Sequence, residues 1–119
     1  MKLLLMSTPV GPLGSGTGGG VELTLLNLAK VLQQKGHQIT VVAPEGSVLE
    51  SIDLVEIPGN LQIMAQSQDR ETPIILPSDS VLGNMWDYAR QVQNNYDVII
   101  NFAYDWLPLY LTPFLNIKV

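Results

Sequence analysis

The feature that most constrains this 119-residue chain is the stretch from Thr8 to Gly20, which holds two prolines and six glycines. Glycine and proline interrupt helices and strand ladders alike, so the stretch is a loop. What it joins sets the architecture. Before it, Leu3-Leu4-Leu5-Met6 is continuously apolar, the pattern of a strand buried on both faces of a parallel sheet. After it, Val21, Leu25, Leu28, Ala29 and Leu32 recur at helical spacing, which predicts an amphipathic helix over Val21–Lys35. Lys35 complements the negative end of that helix, and Gly36 suits the position just past it. Gln38-Ile39-Thr40-Val41-Val42-Ala43 is β-branched and apolar and stops at Pro44, as a second strand would. Strand, helix and strand with short joints make a right-handed βαβ unit with parallel strands.

Further along, Leu54-Val55-Glu56-Ile57 predicts a third strand, stopped by Pro58-Gly59. Between 60 and 77 no period persists. Leu61–Met64 alternates like a short strand, Gln66–Thr72 is polar, and Ile74–Leu76 is an apolar run too short to place. Ser78 or Ser80 can cap a helix whose stripe is Val81, Leu82, Met85, Trp86, Ala89 and Val92, with Met85 and Trp86 in the core. Asp97–Phe102 reads as a fourth strand, Leu107–Phe114 as a short helix broken by Pro108 and Pro113, and Ile117–Val119 as the start of a fifth strand. The expected class is α/β: a Rossmann-like, three-layer parallel sheet of strand order 3-2-1-4. Ligands of open parallel sheets bind beyond the carboxyl ends of the strands, at the switch point. The loops after Met6 and after Phe102 should therefore be neighbours there.

Composition narrows the chemistry. A net charge of −5 disfavours nucleic acid, which needs basic patches. With no cysteine and the single histidine His37 at a helix end, thiol catalysis, a metal centre and a Ser-His-Asp hydrolase are not expected. No apolar stretch approaches a membrane span and the first residues lack a signal-peptide core, so a cytoplasmic protein is expected. Gly14, Gly16 and Gly19 match the dinucleotide pattern GxGxxG, but they lie far from the first strand. The second strand ends in Ala43-Pro44, with Glu45 one step late for the ribose-binding acid. A dinucleotide-dependent oxidoreductase or epimerase is thus the weaker alternative, and GxxxxGK[ST] is absent. Glycines ahead of a helix still let backbone N–H groups approach an anion. The plain alternatives are a flexible surface loop and, for Glu22, a favourable first-turn charge.

One resemblance is specific. Gly18-Gly19-Gly20-Val21-Glu22, Leu28-Ala29, Leu32 and Gly36-His37-Gln38-Ile39-Thr40-Val41-Val42-Ala43 resemble the opening of family-four glycosyltransferases of the GT-B fold, with their GG-x-E and LA-x-x-L-x-x-x-GH-x-V-x-V pattern. Tyr96-Asp97-Val98 resembles their entry into the fourth strand. The segments around Ser7–Gly16 and Asn101–Pro108 are similar to cyanobacterial glucosyltransferases acting on tetrahydrobiopterin. The resemblance implies retaining transfer of a sugar from a nucleotide-sugar, UDP-glucose, to an acceptor hydroxyl, without metal or further cofactor. It implies that residues 1–119 are the truncated N-terminal, acceptor-side part of a GT-B enzyme, with the donor-binding domain and its EX7E-type motif outside this chain. Gly18, Gly19 and Gly20 would then approach the donor diphosphate. Glu22 would touch the acceptor. Independently of the resemblance, the switch-point position makes Asp105 a candidate hydrogen-bond partner of the acceptor and Tyr104 or Trp106 a candidate stacking wall for a flat ring. Many members carry a histidine near the end of the fourth strand, where this chain reads Ile100-Asn101-Phe102-Ala103-Tyr104-Asp105. Catalytic residues therefore stay unassigned, and the isolated chain is expected to be inactive. A non-catalytic module that self-associates through an unpaired sheet edge is the third possibility.

Overall fold

The computed structural model describes residues 1–16, 19–62 and 77–119. Gly18, the pair Ile63-Met64, the polar stretch Gln66–Thr72 and the run Ile74–Leu76 lie outside the described residues. Strands β1 (Lys2–Met6), β2 (Gln38–Pro44), β3 (Asp53–Ile57) and β4 (Val98–Asn101) form one four-stranded sheet in the order β3-β2-β1-β4. All three pairings are parallel. The expected α/β class and strand order are what is found.

The unbroken apolar runs have the cause anticipated for them. In β1, Leu3 and Leu5 enter one core with Leu25 and Ala29 of helix α1 (Gly19–Gln34), while Leu4 and Met6 enter the other with Leu82, Met85 and Trp86 of helix α2 (Val81–Val92). Side chains alternate across a strand, so a strand covered on both faces must be apolar at every position. Trp86 is among the largest fully buried residues, yet its indole Nε1 has no hydrogen-bond partner.

Helix α1 starts at Gly19, two residues before the apolar stripe, and Gly19 itself has φ +59°, the left-handed region that glycine adopts without a Cβ clash. Leu25 and Ala29 are buried, Leu26 and Leu32 pack at the margin, and Val21 and Leu28 stay half-exposed, so the buried stripe is narrower than the sequence suggests. The chain turns at Lys35-Gly36, where the His37 N–H donates to the Leu32 carbonyl at 3.1 Å. Ser80 caps α2, its hydroxyl accepting from the Gly83 N–H at 3.3 Å.

Other boundaries also differ from expectation. β4 spans only Val98–Asn101: Asp97 instead accepts the Lys2 N–H at 2.7 Å, and Phe102 already lies in the following turn. Helix α3 (Trp106–Leu111) is not broken by Pro108, which sits in its first turn, where no intrahelical N–H bond is lost. A 3-10 turn over Thr112–Phe114 follows. Residues 117–119 form no strand; a single parallel bridge joins Lys118 to Val98, the Ile99 N–H donating to the Lys118 carbonyl at 2.8 Å. Leu61 and Gln62 are likewise outside any strand.

Candidate functional site at the carboxyl edge

Three connections leave the carboxyl edge of the sheet side by side. Met6 is in register with Val42 on one side and Asn101 on the other. The Ser7 N–H donates to the Val42 carbonyl and the Phe102 N–H to the Met6 carbonyl, each at 2.9 Å. The loops after β1 and β4 are therefore neighbours, as the switch-point argument requires.

The first half of the long loop is not a flexible surface segment. Ser7, Thr8, Pro9, Val10 and Leu13 are buried. The Leu13 N–H donates to Ser47 Oγ at 2.8 Å, the Leu13 carbonyl accepts the Val48 N–H at 2.9 Å, and the Pro9 carbonyl accepts the Gln62 N–H at 2.8 Å. Ser47, in the polar segment after β2, is itself buried and donates to the Pro44 carbonyl at 2.6 Å.

Glu22 reaches back from the first turn of α1 into this loop. Its Oε1 accepts the Gly14 N–H at 2.5 Å, and its Oε2 is buried without a partner. The residue anchors the loop as well as lying in the favourable end of the helix field. Glu22→Ala removes a charge-assisted bond worth about 1.5–3 kcal/mol. It should lower unfolding stability by that order, whereas Glu22→Gln, which keeps the acceptor, should lose less; urea melts of the two variants check this.

Gly19 and Gly20 open the helix. The Gly19 N–H is taken by the Gly16 carbonyl at 3.1 Å. The N–H groups of Gly20, Val21 and Glu22 lie in the first turn, where helices leave donors unpaired. A Cβ at Gly20 would meet nothing within 4 Å, and Gly20 is not among the positive-φ residues. Neither backbone conformation nor packing requires glycine there.

On the β4 side, Tyr104 and Trp106 are 58% and 62% exposed, with Trp106 tilted against Tyr110 at a centroid distance of 6.5 Å. Between them Asp105 is half-buried, and its Oδ2 is shielded without a partner. Burial raises its carboxyl above the ordinary value of 3.8, against a smaller lowering by its own backbone N–H. Asn101, not singled out by sequence, clips the turn: its Nδ2 donates to the Ala103 carbonyl at 3.0 Å and its Oδ1 accepts the Ala103 N–H at 2.8 Å.

The Glycosyltransferase Family 4 model matches residues 18–119, most of the chain. The chain belongs to this glycosyltransferase family. No curated protein matches it. Family 4 membership sets aside the oxidoreductase reading of the glycine pattern, and a glycosyltransferase implies a sugar donor and an acceptor.

Within this Family 4 domain the described cations stand away from the carboxyl edge. Lys2 begins β1, and Lys30 and Lys35 lie in the later part of α1 and just after it. Arg90, in the last turn of α2, holds Asp87 at 2.8 Å, and Lys118 bridges to the start of β4. His37 is also at the far edge, its Nδ1 3.1 Å from the amino terminus. There, an open hollow of about 430 Å³ is lined by Lys2, Gln33, His37, Asp53 and Tyr96. It lies at the amino ends of the strands, the edge that parallel sheets do not use for ligands. Among the described residues no helix is long and apolar enough to cross a membrane.

Proposed function

We propose that residues 1–119 supply the acceptor side of a retaining transfer of glucose from UDP-glucose to a small-molecule acceptor, a pterin, with a second domain holding the donor. One observation carries this reading: an open, glycine-led helix start and a half-buried carboxylate between two exposed aromatic rings leave the same sheet edge. Backbone N–H groups at the helix start suit a diphosphate. Tyr104 and Trp106 offer faces to a flat heterocycle, and Asp105 offers an acceptor for its N–H or O–H groups. The resemblance to tetrahydrobiopterin glucosyltransferases favours a pterin for that ring.

Negative charge grows on the departing diphosphate, and preorganised donors or cations must meet it. A second domain, on this reading, contributes such groups beside the described residues of this chain. On this reading the isolated chain turns over nothing.

Asp105→Asn tests the acceptor side. Losing a charged hydrogen-bond partner costs about 1.5–3 kcal/mol, so the acceptor KM of the full-length enzyme should rise roughly 10- to 150-fold; an unchanged KM contradicts the reading. The same variant makes a stability prediction of opposite sign. Asp105 binds its proton more tightly in the folded state, so its contribution to stability is fully present below pH 3.8 and is lost as pH rises through the raised folded-state value. The variant, which cannot ionise, should be more stable than the parent at pH 7, with the gap closing below pH 3.8 in urea melts at the two pH values.

A further inference from the structure

Asp105 stands where a helix is ordinarily capped by a side chain. It is the N-cap residue of α3, with φ −79° and ψ 160°. Aspartate in that place normally accepts the N–H of the second or third helical residue. The second helical residue, Leu107, keeps its N–H, but the third is Pro108, which has none. The Asp105 side chain makes no cap hydrogen bond, and its Oδ2 is shielded without a partner.

The helix does not depend on that cap. Leu107 and Leu111 pack against the core beneath α2, and the Pro108 carbonyl accepts from both the Thr112 N–H and the Thr112 hydroxyl, the latter at 2.8 Å. The approach to Asp105 is held separately, by the two bonds between Asn101 and Ala103. Backbone position and carboxylate engagement are thus uncoupled.

The geometry points to Pro108 as a positioning residue that removes one of the two ordinary capping donors, the N–H at the third helical position, and so leaves the Asp105 carboxylate for a hydrogen-bond donor on the acceptor molecule. This rests on the acceptor-side reading of Asp105 given above. The sequence Asp105-Trp106-Leu107-Pro108 then sacrifices a helix cap in favour of a binding group.

Pro108→Val restores the N–H while keeping an apolar side chain at this buried position, and Pro108→Ala restores it with a smaller one. In either variant Asp105 should turn to cap α3, since a new N–H bond favours the ionised form. Carboxyl 13C NMR of the full chain should show the Asp105 pKa falling below that of the parent. With UDP-glucose and tetrahydrobiopterin, the acceptor KM should rise at least fivefold while kcat changes less than twofold. An Asp105 titration unchanged in both variants overturns the proposal. So does an unchanged acceptor KM where Asp105→Asn raises it. If Asp105→Asn itself leaves KM unchanged, the acceptor-side reading fails and the proposal falls with it. A parent enzyme that does not turn over this substrate pair refutes the substrate reading, while the Asp105 titration still decides the role of Pro108.

Discussion

Gly59→Ala should destabilise this domain by about 3–5 kcal/mol, a large part of the roughly 5–15 kcal/mol that holds a domain folded. Gly59 follows β3 at φ +145°, a conformation that L side chains rarely adopt. A Cβ there would stand 2.7 Å from both Cα and N of Val81 and 2.9 Å from Asn84 Nδ2. Two of those atoms are backbone in the first turn of α2 and cannot swing aside. The same crossing is tied by the Asn60 N–H to the Asp79 carbonyl at 2.8 Å, the Val81 N–H to the Asn60 carbonyl at 3.0 Å and Asn84 Nδ2 to the Pro58 carbonyl at 3.0 Å. Backbone strain of about 1–3 kcal/mol and overpacking of about 1–3 kcal/mol therefore act together. Urea denaturation checks this; a loss below about 0.5 kcal/mol would mean the α2 start moves freely, against the packing described.

Gly20→Ala should do the reverse: leave the fold intact and remove function. The added Cβ meets nothing within 4 Å and the backbone needs no left-handed conformation. Alanine is the better helix former by about 0.8–1.0 kcal/mol, so stability should hold or rise slightly. If a diphosphate lies on this turn, a methyl group displaces it from its N–H partners, and UDP affinity should fall at least tenfold, about 1.4 kcal/mol; Gly20→Val should lose more. Calorimetric titration of UDP into the full-length enzyme, beside urea melts, separates the two effects. Unchanged affinity with unchanged stability would leave glycine at this position without a role.

The contrast between these glycines shows where sequence is informative. Leu3–Met6, Val41-Val42 and the stripe from Val81 to Ala89 carry their own burial pattern, so the elements and layers follow from local periodicity, while the strand order needed the Rossmann-like topology as well. The place of Glu22 in the first turn of α1 was equally legible, although the helix starts at Gly19, two residues before the stripe. What stayed hidden depends on distant partners. Leu13 and Pro9 are tied to Ser47, Val48 and Gln62, some 34 to 53 residues away for the pairs Leu13–Ser47 and Pro9–Gln62. The inward turn of Glu22 onto Gly14 needs the loop's path, which glycine-rich composition does not encode. Pro108 illustrates the same point on a smaller scale. Read alone it breaks a helix, yet once Trp106 is seen to be the first helical residue it falls in the turn that tolerates it.

On the proposed function the carboxyl edge, and not the opposite one, receives substrate. Amide NMR of the full-length protein titrated with UDP-glucose and then with tetrahydrobiopterin tests it most directly. The expected result is that UDP-glucose shifts the amides of Gly19–Glu22 and the pterin shifts those of Tyr104–Trp106. Shifts confined to Lys2, His37 and Asp53, around the hollow at the amino ends of the strands, would contradict it.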